Sequence, residues 1–462
     1  MGSDRVVLRT ARVQVRATPG QRRRCFALLR MAGDVWAALI ELNRARFARG
    51  GKPVFSYTAL CRELAGTDMG ELSSDGARSV LRRYSAACLE TTKRKKAGLA
   101  ARYPRRRRAL FPVRFYRTFQ FEGRRVRLPV ATGSPPLWVR LTREVPYDPA
   151  TVRSVTLLAD AGRLFIDVTA EVSVEDHALD RSRVAGVDLG IIHPYAVAGP
   201  DRAGLLISGR QLRAEERLHL EDAKRRARHM ARKSSNKGGR GSRRWRRIRA
   251  AQRRAEARHV RKIRHAHHQA AKEVIAWAVA HQVGTLVVGD PKGITHKKSG
   301  RRQNWRVNTS WRRVHLTQAL TDKALRAGIV VVRVDERGTS RTCPGCGYRA
   351  GKPKGRRFRC SACGHVAHRD LVGATNIARK YPGGIVDVPE ATSTTHRRAG
   401  KPPARRDRRR HLWDAHRRRR SCSTPSHFTA LAAKTSLGRM ETSHLHDVAV
   451  SAEFGASRES LA

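Results

Sequence analysis

The chain has 462 residues, 40% of them hydrophobic, with 97 Lys and Arg against 38 Asp and Glu, a formal net charge of +59. No apolar run approaches the roughly 20 residues that cross a bilayer, and no apolar segment follows Met1, so neither a membrane span nor a secretory leader is expected. A charge this large repels itself in a lone compact chain and fits a polyanion, nucleic acid, held along much of the surface. An Arg-favouring composition explains Arg over Lys but not the net charge. The expected location is intracellular, in the cytoplasm. Of eight cysteines, four form two Cys-x2-Cys pairs. Cys25, Cys61, Cys88 and Cys422 are scattered and make no disulfide framework.

Residues 5–17 alternate apolar and polar and read as a strand. A helix follows over 21–49, with Phe26, Leu29, Val35, Ile40 and Leu42 on its apolar face and Trp36 in the core rather than a base-stacking platform. Further helices are expected near 57–65 and 74–98. From 109 to 175 the pattern becomes antiparallel strands, with Glu122-Gly123 and Ala161-Gly162 as hairpin turns. The N-terminal strand is expected to join them, leaving the helices as an insertion.

An α/β segment begins near Arg181. Its first strand, VAGVDLG, delivers Asp188 at its C-terminal end, and an antiparallel strand pair follows. Gly209 to Arg264 carries 22 Lys and Arg against five Asp and Glu. SSNKGGRGS breaks that stretch into a helical hairpin. Trp245 sits among its arginines, to stack on a base or pack between the arms. A separate helix is expected over 265–282, then strand 285–289 ending in Asp290, a basic loop over 291–310, a helix over 311–327, and strand 328–334. Beyond Pro382 the Pro-, Arg- and Ser-rich tail reads as mostly disordered.

Cys343-x2-Cys346 and Cys360-x2-Cys363 offer four thiolates to one structural Zn2+. Arg356, Arg357 and Arg359 between the pairs suggest nucleic-acid contacts or solvated charge. Arg225, Arg243, Arg246 and Arg247 of the hairpin are further candidate contacts. Acids at the ends of separate strands can converge on one sheet edge and hold Mg2+ for phosphodiester hydrolysis. The order of elements, with zinc knuckles before a last helix opened by Asp370, is that of an RNase H-like sheet with an inserted zinc ribbon. His265, His267 and His268 look like a ligand cluster, but no Cys or acid completes it; core or RNA contact is expected.

GVDLG, LVVGDPKGI, TSRTCPGC with CSACG, and HRDLVGATNIA with Asp370 and Asn376 together resemble the TnpB (OrfB) family of transposon proteins, relatives of the compact type V CRISPR effectors. The resemblance spans 184–381; the N-terminal half matches only in layout. It implies an α/β plus β-barrel chain. Its parts would be a wedge strand (1–20), a helical recognition insertion (21–105), a wedge β-barrel (106–180), and a RuvC-like domain (181–342) carrying the basic hairpin (205–265). A zinc ribbon (343–363), a C-terminal RuvC helix (364–384) and a basic tail (385–462) would complete it. It further implies an RNA-guided DNA endonuclease. A guide RNA from the transposon end would pair with a double-stranded DNA target, and two Mg2+ ions would serve one RuvC-like site. Arg369 matches the family pattern, as a contact to the scissile phosphate or a structural salt bridge.

One position departs. The family usually has Glu-Asp at the end of the middle strand; here Gly289-Asp290 stands there. Asp290 should face the other way along the strand. Glu336, at the end of the next strand, is the better candidate, giving Asp188, Glu336 and Asp370 as the expected catalytic set, with Asp290 second to Glu336. Two other readings compete: a nuclease-dead RNA-guided repressor, which the missing Glu favours, and a DNA transposase or its accessory protein.

Overall fold

A computed structural model describes residues 6–105, 109–175, 177–231, 241–290, 311–349 and 355–400, with the single positions 300, 304 and 351. Most of the SSNKGGRGS break and of the 291–310 loop lies outside the described residues. The described chain falls into two compact units, one built from 29–68 and 80–111 and the other from the remainder.

The smaller unit is helical. It contains parts of α1 (Pro19–Ala48) and α3 (Ser74–Lys96) and the short α2 (Tyr57–Glu63), which meets α1 through Arg46 and Glu63 and α3 through Arg82 over the Tyr57 ring. Leu29, Ala32, Val35, Trp36, Leu39 and Ile40 recur at three- and four-residue steps and are all buried. Trp36 stacks on Phe111 at 4.7 Å and meets the edge of Tyr84 at 5.2 Å, so it is a core residue.

The larger unit holds two main sheets. β1 (Val6–Arg16), β2 (Val113–Phe115), β3 (Gln120–Glu122), β4 (Arg125–Leu128), β5 (Leu137–Leu141), β6 (Val152–Asp160) and β7 (Arg163–Ser173) form an antiparallel sheet in the order β2-β6-β7-β1-β5-β4-β3. The N-terminal strand takes its place between β7 and β5. Ala161 and Gly162, at φ 49° and 78°, make the tight turn that joins β6 to β7. No pairing among the described residues joins β2 to β3, so nothing there closes the sheet into the expected barrel.

The second sheet contains β8 (Asp180–Asp188), β9 (Tyr195–Ala198), β10 (Gly204–Ser208), β11 (Val283–Asp290), β12 (Val330–Asp335) and β15 (Thr394–Arg398). The order is β12-β11-β8-β9-β10-β15, with β8, β11 and β12 mutually parallel, so their C-terminal ends share one edge. β13 (Arg357–Arg359) and β14 (Val366–His368) pair separately. Two corrections follow. The tail expected to be disordered from 385 is ordered through 400, where β15 pairs in parallel with β10 and Ala399 is buried in the core; residues 401–462 lie outside the described chain. The basic arm does not end near 265 either. One helix runs from Arg243 to Ala280, switching along its length from an arginine-rich arm to a core helix that buries Ala270, Val274 and Trp277. With α4 (Arg210–Ala231), this helix is α5.

The strands alternate faces. Ala185, Val187, Leu286 and Val288 pack with α5 and α6 (Arg313–Arg326). Val184 and Val287 pack with Ala374, Ile377 and Ala378 of α7 (Arg369–Ala378). Glycine sets the approach of α7: a Cβ at Gly186 would lie 2.0 Å from the Ala374 carbonyl oxygen. Gly186→Ala should therefore cost about 3 kcal/mol, at the upper end for overpacking, because backbone must move. The midpoint of denaturant unfolding checks this, and an unchanged midpoint would mean that helix and strand do not meet so closely.

Candidate metal centres and nucleic-acid surface

Asp188 lies near both Glu336 and Asp370, where the ends of β8 and β12 approach α7. Asp188 ends β8. The charges of Glu336 and Asp370 both act on it, and burial, Glu336 and Asp370 together hold its pKa well above the ordinary carboxylate range. Gly373 makes room for it: a Cβ there would lie 3.0 Å from Asp188 Oδ2. Asp370 is buried in the first turn of α7. Burial opposes its ionisation, but a hydrogen bond from His193 and the charge of Arg356 outweigh that and lower its pKa. The Arg356 guanidinium donates to both Asp370 oxygens, at 2.7 and 2.8 Å. Arg356, expected among the nucleic-acid contacts, is thus engaged with this carboxylate, while its neighbour Arg357 is exposed.

Gly289 explains the position of Glu336. In the parallel register Gly289 pairs with Val334, so Glu336, two residues on, shares its face. A Cβ built on Gly289 would lie 2.8 Å from Glu336 Oε2 and 3.1 Å from its Cβ. The Glu336 side chain, with Ile377 Cδ1 at 2.7 Å, fills the space that a side chain at 289 would need. Lys380 donates to the carbonyls of Asp335 and Arg337, at 2.6 and 3.1 Å, and so fixes the backbone on both sides of Glu336. Asp290 pairs in register with Asp335 and turns to the other face, where Arg313 of α6 lies 3.5 Å away. The sheet therefore sets Glu336 on the face of Asp188, which also feels Asp370, and Asp290 on the opposite face. Arg369 opens α7; its charge acts on Asp188 and its Nε is buried without a hydrogen bond.

Burial and the charge of Asp290 push Glu336 up to about 7. Glu336 Oε2 is buried without a hydrogen-bond partner. Asp188 and Glu336, both with raised pKa values, and the orphaned Glu336 oxygen offer the kind of oxygen donors a hard dication takes. Because the folded value lies above the unfolded one, the folded chain holds this proton more tightly, and stability falls as pH rises from about 4.5 through about 7. Glu336→Gln, neutral throughout, should stabilise the chain at pH 8 by on the order of 1–2 kcal/mol without added divalent ions, and hardly at pH 5. Denaturant midpoints at the two pH values read this; equal gains at both would mean that Glu336 is not the titrating group.

The four knuckle cysteines come together. Cys343 and Cys363 sulfurs lie 3.6 Å apart, as do those of Cys346 and Cys360. A tetrahedron of 2.3 Å zinc–sulfur bonds needs about 3.8 Å between sulfurs, so the thiols fit a closed zinc site. Each knuckle is shaped by backbone: Gly347 N–H donates to Cys343 O and Gly364 N–H to Cys360 O. Both glycines have positive φ, 73° and 70°. The backbone N–H of Cys363 draws the Cys360 thiol down to about 7, toward the thiolate a metal takes. Asn376 of α7 ties the ribbon to the sheet by donating to Thr339 O and Thr342 O, at 2.7 and 2.8 Å.

α4 and α5 lie antiparallel: Lys262 pairs with Glu215 at 3.1 Å and Glu256 with His219 at 2.7 Å. Arg225, Arg243, Arg246 and Arg247 are exposed on these helices. Trp245 carries the Arg249 guanidinium over its ring at 5.0 Å. Among the described residues His265, His267 and His268 make no metal-ligand group, and His267 is buried in the core. Sequence reasoning missed His193 and Lys380. HP after GVDLGII carries no chemical signature by itself, and a lysine that binds carbonyls looks like any surface lysine.

Parts of the chain are similar to known proteins. Residues 167–295 match a family model described as "Probable transposase" (OrfB_IS605), and residues 314–377 match one described as "Cas12f1-like, TNB domain". Two stretches of the chain are thus similar to the OrfB-type transposases and to Cas12f1-like proteins, which supports a TnpB-like reading. "CRISPR-associated endodeoxyribonuclease Cas12f1" of Sulfoacidibacillus thermotolerans is 26% identical over 220 residues, 46% of this chain and 49% of that protein. The chain thus spans about half the length of the curated relative it matches. Its fold resembles that in "Cryo-EM structure of the Cas12f1-sgRNA-target DNA complex", with a TM-score of 0.56 at 13% identity, covering 80% of this chain and 98% of that one. No helix among the described residues is long and apolar enough to cross a membrane.

Proposed function

We propose that this chain is a transposon-encoded, RNA-guided DNA endonuclease whose RuvC-like site uses Asp188, Glu336 and Asp370 with Mg2+. The observation that carries this reading is the Glu336 carboxylate in the space left by Gly289, beside Asp188. A glycine there alone suggests a retired site; a glycine whose space is refilled by a carboxylate suggests a relocated one. The likeness to a Cas12f1 endodeoxyribonuclease and to a complex holding guide RNA and target DNA supports the same class. Dications bound by these acids would activate water and stabilise the leaving 3′ oxygen. The chain's own residues would do the rest. Asp188 and Asp370 hold the shared charge from two elements, Glu336 adds a third carboxylate from the neighbouring strand, and Lys380 fixes its backbone. Arg356 neutralises Asp370, and a dication held by Asp370 would take over that charge. The exposed arginines of α4 and α5, with Arg357 on the ribbon, would track phosphates, while base pairing to the guide reads the sequence. The zinc would be structural, since four thiolates leave no open position.

The test is cleavage by protein co-expressed with the DNA flanking its own gene. The purified complex is given a plasmid library randomised beside the guide match, with Mg2+ or EDTA. Cleavage with Mg2+ alone, lost in Asp188→Ala, is expected. Guided binding without cutting would favour the repressor, and strand joining without RNA would favour the transposase.

A further inference from the structure

His193 has no part in the reading above, yet it is built into the site. The connection from β8 to β9 folds back at Gly190, whose N–H donates to the His193 carbonyl at 3.0 Å. A Cβ on Gly190 would lie 2.8 Å from that same oxygen, so the turn requires glycine. Gly209 N–H donates to the Ile192 carbonyl at 2.8 Å. Arg213 of α4 donates to the carbonyls of Ile191 and Ile192, at 3.3 and 2.9 Å. These anchors aim the imidazole at α7, where Nδ1 lies 2.7 Å from Asp370 Oδ2. His368 approaches from the other side, its ring 5.3 Å from that of His193. One nitrogen of each imidazole and one Asp370 oxygen lie within 4.8 Å of one another. Donors on a common ion, with bonds of about 2.0–2.2 Å, stand no more than about 4.4 Å apart, so small side-chain rotations complete the set.

We propose that His193, His368 and Asp370 form a cation site with two nitrogen donors that takes a first-row transition dication in preference to Mg2+. It rests on the nuclease reading only in sharing Asp370 with the acidic set. Imidazole nitrogen discriminates against Mg2+, which is held by oxygen. Three protein ligands leave positions open for water or a phosphate oxygen. Arg356, now on both Asp370 oxygens, withdraws as the ion's charge replaces its own.

Mn2+ is the probe, because it is paramagnetic and competes poorly for the thiolates of the zinc ribbon. Full-length, zinc-replete protein is titrated with Mn2+ and examined by pulsed electron paramagnetic resonance. Nitrogen-14 modulation is expected in the wild type, reduced in His193→Gln and absent in His193→Gln/His368→Gln, with Mn2+ affinity lowered at least about 10-fold in the single variant. Glu336→Ala should keep the nitrogen signal. Zinc content and circular dichroism establish that each variant folds. Bound Mn2+ without nitrogen coupling, no bound Mn2+ in the wild type, or coupling that persists in the double variant overturns the proposal. Oxygen-only coordination alongside Mg2+-dependent guided cleavage would sink this site and leave the nuclease reading standing. Nitrogen coordination in a protein that never cuts would do the reverse.

Discussion

Glu336→Ala is expected to reduce Mg2+-dependent guided cleavage at least about 1,000-fold, while Asp290→Ala reduces it less than about 10-fold. The two acids stand one register step apart in the sheet, and that step decides the matter. Glu336 shares the α7 face with Asp188, whereas Asp290 lies on the α6 face beside Arg313. Removing Asp290 changes the field at Glu336, since its charge helps to raise the Glu336 pKa, but removes no group from the α7 face. The space argument adds a rescue. Gly289→Glu alone crowds the Glu336 carboxylate and Ile377 Cδ1, whereas Gly289→Glu with Glu336→Gly leaves only the flexible Ile377 tip to shift, returns one carboxylate to the same space and should recover a measurable part of the cleavage lost in Glu336→Ala. Initial cleavage rates of the four guided complexes check both statements. Activity surviving in Glu336→Ala and lost in Asp290→Ala would overturn the assignment.

Cys360→Ser is expected to release the zinc and unfold the ribbon while the six-stranded sheet stays folded. The ribbon's own buried cluster is small: Cys343, Phe358, Cys360 and Val372. Burying about four side chains contributes less than the roughly 10–16 kcal/mol that zinc provides in small structural sites, so the thiolates and not the core hold this segment. The sheet has a far larger core on its α5 and α6 face, independent of the metal. Amide exchange should show lost protection over 341–349 and 355–368, with β8 and β11 unchanged, and metal analysis should fall from one zinc per chain to none. Cleavage should fall with it, because the ribbon's hydrogen bonds to Asn376 help to hold α7, which carries Asp370. Full protection over the ribbon after zinc loss would show that it folds without metal.

Several features were legible in the chain itself because their physics is local. The knuckles need only two short Cys-x2-Cys turns with glycines, and the spacing prints that directly. Asp188 at the end of an apolar run and Asp370 at the head of a helix are fixed by strand and helix periodicity. So is the β6–β7 turn, since Ala161-Gly162 must adopt positive φ. Even the argument against Asp290 needed only the two-residue period of a strand. Other features depend on what lies opposite. TTHRR at Thr394–Arg398 has no apolar alternation, and it becomes a strand because the backbone of β10 offers it a parallel edge. The helix Arg243–Ala280 changes from solvated arm to core without a break, because helix propensity is continuous there and only packing changes. Arg356 reads as one of several basic residues until α7 sets Asp370 within its reach. His193 gains a role only when a glycine turn and Arg213 bring a short loop across to another element. Sequence by itself determined which groups exist and which local element carries each, because turns, periods and ligand spacing are short-range. Only the tertiary structure decided which charges share a space, because convergence of Asp188, Glu336, Asp370 and His193 rests on sheet register and on a glycine that leaves room.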